Sequence, residues 1–599
     1  MEMGPPLPRE REAHFNSRKE MQSIWATAPD ALTLMTNQKP ETIPLSVRLW
    51  YNFLVSRVLK DAVRNLIARR KYFWLTLVLG GLALSLNLWQ GLGMDQSLYA
   101  YAAWVWKNFG QPPYIGVWDH DFPGIFIIHL IAMRLFGESI LGFRFFDLLV
   151  QMAGLAMVYY LAARIARSGA AGFLAGMMFA IYYFGSGPAD SGQREGFVLC
   201  LLLVSIVAGV GLESKVRLRA AIAGIALGLA FIIKPTYGLA WLVFGGLILF
   251  EGLRRPRKTA MAIALFGALC ALPSVIVFWY YWRLGLLPEF FRAVLWYNFE
   301  IYRETPNIVF ATMPFWVRSI AVTSQIFLQS PLIFISGLLG LLVFLAGRKP
   351  ETGTKPFALV VSLAAVSLVS YLFFGKYFPY QLTPFWGLMS ILGGCGWAAV
   401  GAMAEPVIGQ ARAKVFRAAL YAGLVAIMLA SVNPEQTIFA GQRVLRNLDA
   451  AYLDENGYSS DPHQTRDQYR GAMRLKPMLR PGDRIEFFGS YPLLPFLLKQ
   501  KLSSRFCSMP LLFITPPGRE LSDQQRKWLE QYQAAAINSR PRFFVIHDFI
   551  PGHLGMNFDS PHLKQFIPRY LPALHQFLAD NYRLAAKIGD LEIYEIAPR

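Results

Sequence analysis

The sequence predicts a polytopic, all-α membrane protein of about eleven transmembrane helices, followed by a small extracytoplasmic α/β domain. Three observations carry this. The 599 residues are 54% hydrophobic and only 16% charged, against about 25% charged in an ordinary soluble domain. The apolar residues gather in charge-free runs of membrane length. Basic clusters recur in every second connection between those runs. Such a composition excludes a multidomain soluble enzyme, and it excludes disorder, which needs low hydrophobicity.

Residues 1–70 read as a cytoplasmic extension. The first strongly apolar run comes too late for a cleavable signal peptide. Within the extension, Pro44–Leu66 has the pattern of an amphipathic surface helix, with Val47, Trp50, Leu54, Val58 and Leu66 on one side and Arg57, Lys60 and Arg64 for lipid headgroups.

The transmembrane domain is expected over 71–432. A span needs about 20 mainly apolar residues. Tyr72–Met94, Ser168–Ala189, Ala260–Trp282, Ile320–Gly347, Pro356–Gly375 and Tyr377–Ala404 meet that length. Leu148–Ala163, Gly196–Leu212 and Ala418–Asn433 are shorter. Ala220–Ile233 and Pro235–Phe250 flank the Lys234–Pro235 pair, read as the outer turn of a tight hairpin. Phe122–Leu135 is short, carries Arg134 and is left out of the count.

The formal charge of +20 is not a nucleic-acid footprint. Its clusters fall at Arg69–Lys71, Arg164 and Arg167, Lys215–Arg219, Arg254–Lys258, Arg348–Lys355 and Arg412–Arg417. That alternation is the positive-inside pattern. It puts the N-terminus in the cytoplasm and, with eleven spans, the C-terminus outside. The four cysteines have neither metal spacing nor a disulfide framework.

Residues 433–599 form the expected outer domain, periplasmic in a Gram-negative cell. Strands are expected at Arg484–Phe488 and Arg542–Ile546, helices at Tyr491–Lys501 and His562–Asp580. A closing hairpin is expected from Ala585–Ile588 and Leu591–Ile596 around Gly589–Asp590.

Candidate chemistry lies in the outer connections. Gly93–Pro123 is expected to hold an interfacial helix, with Tyr99, Trp104 and Trp106 at the membrane surface. Asp95 follows the first span directly, and Asp119, His120 and Asp121 precede the next apolar run. Two acidic positions converging on one cleft suit a general base and its supporting acid, or oxygen ligands for a divalent cation. Simple solvated loop is the alternative. In the turn Asp190–Glu195, Arg194 and Glu195 either pair with each other or reach the same cleft, where Arg suits a phosphate. Lys234 and Lys376 are ionisable groups between apolar runs and so candidates for function, with snorkelling to the interface as the alternative. A second outer segment, Arg283–Arg318, holds Arg303 between Tyr302 and Glu304 and suggests another interfacial helix.

The order of these motifs resembles the polytopic glycosyltransferases of the GT-C type, in the group of ArnT-like, dolichyl-phosphate-mannose protein mannosyltransferase-like and RgtA/B/C/D-like proteins. The specific part is the first outer loop: Asp95-Gln96-Ser97-Leu98-Tyr99-Ala100, then Gln111-Pro112-Pro113-Tyr114, then Asp119-His120-Asp121-Phe122-Pro123-Gly124. Phe136–Arg144, Gly192–Glu195, Lys234–Pro235 and Lys376–Pro384 match more loosely. The likeness covers about residues 70–430. Gln96 stands where many relatives carry a second acid, and Asp121-Phe122-Pro123 replaces a basic-Pro-Pro ending.

The resemblance implies an inverting transfer of a sugar from a polyprenyl-phosphate donor to a cell-envelope glycan or lipid, at the outer face of the cytoplasmic membrane. Asp95 would be the base or the acceptor-orienting acid, supported by Asp119 or Asp121. Lys234, Lys376 and Arg194 would hold the donor phosphate. His120, Tyr99, Gln193, Glu195 and Arg303 would line the acceptor cleft. A divalent cation, Mg2+ or Mn2+, would have Asp95 and Asp121 as ligands. A flippase of lipid-linked glycans and a protein O-glycosyltransferase are the competing readings.

Overall fold

The computed structural model describes residues 70–212, 215–252, 256–305, 307, 310, 313–346, 354–373, 375–432, 465–550 and 561–598. The amphipathic helix expected over Pro44–Leu66 lies outside them.

The eleven apolar runs all become helical. In chain order the helices of this region are α1 Arg70–Ser85, α2 Met94–Phe109, α3 Gly124–Phe136, α4 Ile140–Ile165, α5 Gly169–Gly185, α6 Arg194–Gly211, α7 Val216–Ile233 and α8 Leu239–Gly252. There follow α9 Pro256–Arg283, α10 Phe315–Gln329, α11 Pro331–Leu345, α12 Thr354–Phe373, α13 Thr383–Met403 and α14 Gln410–Ala430. Nine helical stretches among the described residues are long and apolar enough to cross a membrane, or ten if a bent pair counts as one. At 17 residues α5 falls just below that length, so nine or ten spans stand against the expected eleven. At 13 residues, α3 is too short to span: at 1.5 Å per residue it covers roughly 20 Å. Large apolar side chains stand exposed along the outward faces, among them Leu242, Phe250 and Leu342. Lipid rather than water suits such a belt.

Ile320–Gly347 is a correction. The chain breaks at Ser330–Pro331, and α10 and α11 meet at 94°. Proline at the first position of α11 starts a new helix, because its missing N–H cannot extend the old one. Beyond the break, α11 and α13 pack at backbone distance: a methyl added at Gly340 would collide with the Leu392 carbonyl. Small residues at such contacts let helices approach closely where no hydrophobic effect drives them together.

The first outer segment is a second correction. Helix α2 forms as expected but does not lie exposed in the interface. Leu98 through Val105 are all buried, Tyr99 and Trp104 included. The C-terminal region covers α2 and is tied to it. The Leu502 amide donates to the Tyr101 hydroxyl at 2.8 Å, and Trp118 packs on Trp528 with ring centroids 4.9 Å apart. The π-helical segment Arg292–Tyr302 joins from the side, and the Tyr297 hydroxyl donates to the Leu511 carbonyl.

That C-terminal region is built as expected around strands β1 Ile485–Phe488, β2 Phe543–His547, β3 Tyr582–Ile588 and β4 Leu591–Ile596, in the order β1-β2-β4-β3. β1 and β2 are parallel, so the chain must cross over between them. The crossover contains a helix the sequence reading did not place, Asp523–Ser539, which starts at a Ser522/Gln525 capping box. β3 and β4 form the expected hairpin. The helix expected over His562–Asp580 is interrupted before Pro572.

Candidate active site

Asp95 sits in the first turn of α2 and Tyr99 one turn later on the same face. The chain leaves α2 through Gly110, in the left-handed region at φ 66°, where glycine carries no penalty. It turns at Pro112–Gly116 and comes back over α2. The Tyr114 hydroxyl donates to the Asp121 carbonyl at 2.7 Å. Tyr99 donates to Asp121 Oδ2 at 2.5 Å. The two acidic positions expected to converge do so.

Arg194, at the start of α6, forms an ion pair with Asp121. Gln193 donates to Asp95 Oδ2 at 3.2 Å. Glu195 pairs with Lys234 at 2.6 Å, and both are buried. Arg194 and Glu195 therefore do not pair with each other. Adjacent residues at a helix start point to different sides, and each finds a partner from a distant segment. Asp119 accepts from the His120 amide at 2.7 Å, with the His120 ring 3.1 Å away. Its Oδ2 is buried with no hydrogen-bond partner. Lys376 donates to the Thr305 carbonyl and lies over the Tyr302 ring at 4.0 Å.

The electrostatics sort these acids. Burial pushes Asp95 up to about 6, although Arg194 pulls against it. Asp119 is raised by burial and by Asp121. Burial acts on Asp121 too, but Arg194 and His120 outweigh it and hold the carboxyl below its usual range. Asp190, just before this turn, is raised to about 7 by burial and by Asp95. Lys376 is lowered to about 7 by burial. A cluster of groups displaced in both directions is the mark of a functional site.

Two cavities meet here. One, of about 320 Å³, is lined by Asp95, Tyr99, Asp119, His120, Asp121, Asp190, Gln193 and Arg194, with Tyr302, Tyr380 and Tyr491. The other, of about 510 Å³, is mostly apolar, with Phe122, Phe231, Leu239, Leu295, Phe299 and Phe373. Lys234 and Lys376 lie on its wall. His120, Asp121, Arg194 and Tyr302 belong to both. Arg303 lines neither. It is exposed, with its guanidinium over Phe373.

The loop that presents Asp190, Gln193 and Arg194 is held by side chains that sequence reasoning missed. Arg144, fully buried on α4, donates to the carbonyls of Gly91, Pro188 and Ser191. Gln96 donates to the carbonyls of Pro188, Ala189 and Ser191 at 2.8 to 3.2 Å. Tyr183 accepts from the Gly192 amide at 2.8 Å and donates to Asp147. A carboxylate at position 96 could make none of the three Gln96 bonds, so this departure from the family pattern has a local reason. The usable signal was a string of polar residues on apolar helices. Tyr491 and Leu511, from the C-terminal region, gave no signal at all.

The expected cation finds a poor fit. Asp121 is committed to Tyr99 and Arg194, and Asp95 accepts from Gln193. Among the described residues no group of three His, Cys, Asp or Glu side chains is placed to hold a metal.

Residues 119–282 match the family model of dolichyl-phosphate-mannose-protein mannosyltransferase. No curated protein sequence matches the chain. Among solved structures, ArnT from Cupriavidus metallidurans in the apo state matches at 15% identity and TM-score 0.50, over 89% of this chain and 100% of that one. ArnT of the same organism bound to undecaprenyl phosphate matches at 14% and 0.49, over 88% and 98%. The Archaeoglobus fulgidus oligosaccharyltransferase, in complex with Zn and sulfate, matches at 15% and 0.45, over 79% and 68%. The apo ArnT likeness shows a shared fold. The family-model match begins at Asp119 and so takes in only the end of the first loop; at the level of fold the resemblance holds, and the chain has the GT-C architecture of a multi-pass membrane protein.

Proposed function

We propose that the chain is a glycosyltransferase of the GT-C type, which transfers a sugar, with inversion, from a polyprenyl-phosphate donor to a hydroxyl of an envelope glycan or lipid. The observation that carries this reading is the shared wall between the two cavities. An apolar cavity flanked by Lys234 and Lys376 adjoins an acid-lined one, and the Asp121–Arg194 pair borders both.

In this reading the first polyprenyl units lie in the apolar cavity and the phosphate lies against Lys376, Lys234 and Arg194. The anomeric carbon then faces the acidic cavity, where the acceptor hydroxyl enters. Asp95 takes the proton as that oxygen bonds to the carbon. The carbon–oxygen bond to phosphate breaks, and polyprenyl phosphate leaves. A carboxyl poised near 6 is ionised at neutral pH yet still basic enough for proton transfer. Arg194 stabilises the charge developing on the leaving phosphate. Asp121 orients Arg194 and Tyr99. Asp119 and His120 complete the acceptor side.

The basic helix ends lie opposite the ends that carry the site, and by the positive-inside rule this supports chemistry at the outer face of the cytoplasmic membrane. A divalent cation has no assigned place here, and unchanged transfer after chelation is the expected result.

The test is transfer by the purified protein in liposomes, with a panel of short polyprenyl-phosphate monosaccharides. Release of polyprenyl phosphate and an inverted anomeric configuration in the product, read by NMR, are expected. Use of nucleotide sugars directly, or retention of configuration, would sink the reading.

A further inference from the structure

A third cavity, of about 710 Å³, opens at the other end of the helices. It lies between the α4–α5 turn and α11, α12, α13 and α14, the ends marked by the basic clusters. We infer that this cavity binds an anionic phospholipid of the leaflet opposite the active site, with its phosphate held by Lys414 and Arg417.

Lys414 and Arg417 stand one turn apart on α14 and both line the cavity, and among the described residues no acidic side chain does. Arg417 also reaches Glu405, which does not line the cavity, at 3.1 Å. Lys414 has no ion-pair partner among the described residues. Phe344, Phe357 and Ala398 give the cavity an apolar wall. Leu345, Val415 and Phe416, beside lining residues in the sequence, are exposed, and such large apolar side chains suit lipid around this end of the helices. A cavity with two cations at its edge and an apolar interior matches a headgroup phosphate with an acyl chain behind it. Basic residues at this depth attract anionic headgroups in any case; the cavity turns that attraction into a defined place. This site shares no residue with the two cavities of the active site, and the inference does not depend on the proposed reaction.

The test is thermal unfolding of the full chain in detergent, titrated with phosphatidylglycerol, phosphatidylcholine or inorganic phosphate. Phosphatidylglycerol alone should raise the melting temperature in a saturable way. In K414Q/R417Q its half-saturating concentration should rise by about tenfold or more. Ala398→Leu keeps both cations and fills the interior, and should weaken the same response. It also serves if the double variant does not fold. Equal stabilisation by phosphatidylcholine overturns the inference. So does stabilisation by inorganic phosphate alone, or a phosphatidylglycerol response unchanged in Ala398→Leu.

Discussion

The two cavities of the candidate site differ in a way that assigns their work. The smaller is lined by carboxylates and tyrosines; the larger is a greasy hollow with two lysines on its wall. They are separated by little more than Asp121, Arg194 and Tyr302. A group that must lose a proton suits the first side, and a lipid carrying a phosphate suits the second. The difference teaches that recognition of the lipid and activation of the hydroxyl are built from separate side chains. Variants should therefore split the two functions.

Asp95→Asn should break the acidic side alone. Transfer is expected to fall about 10²- to 10⁴-fold, the usual worth of a positioned base, while donor binding, measured by retention of labelled lipid, stays within about twofold of wild type. A variant that transfers normally would remove Asp95 from the mechanism.

Lys234→Met should break the lipid side. It leaves Glu195 buried without its partner, which costs about 3–5 kcal/mol of stability. Adding Glu195→Leu should restore the melting temperature but not donor binding. Recovery of both would make the pair purely structural.

The pH dependence sharpens the division further. Asp95 is protonated below about 6, so the rate should fall with decreasing pH there, by about tenfold per unit. Lys376 loses its charge above about 7, so donor KM should rise on the alkaline side. In Lys376→Met the alkaline arm should disappear while the acid arm remains.

Tyr491→Phe tests the smallest contribution, that of the C-terminal region to the acidic cavity. Removing one hydroxyl is worth about 0.5–1.5 kcal/mol, so acceptor KM should rise several-fold with donor KM unchanged.

Much of this was legible in the sequence. Hydropathy is a local property, so eleven apolar runs gave eleven helical regions, and the basic clusters marked one set of helix ends. Asp95, Asp119, His120 and Asp121 were identifiable because acids directly beside apolar runs are conspicuous. The break between α10 and α11 was hidden, since Ser330–Pro331 is uncharged and leaves the hydropathy of Ile320–Gly347 intact. The covering of α2 was hidden as well: aromatic residues that suit a membrane interface equally suit a protein core.

What the sequence determined by itself is the helical membrane architecture, the basic marking of one set of helix ends and the set of charged residues available in the connections. Only the tertiary structure decided their partners. Arg194 and Asp121 are 73 positions apart, and Gln96 reaches carbonyls more than 90 positions away. Tyr491 arrives from beyond the last span. A charge in a buried site takes its meaning from whichever neighbour offsets its desolvation, and that neighbour is chosen by helix packing, which no local pattern records.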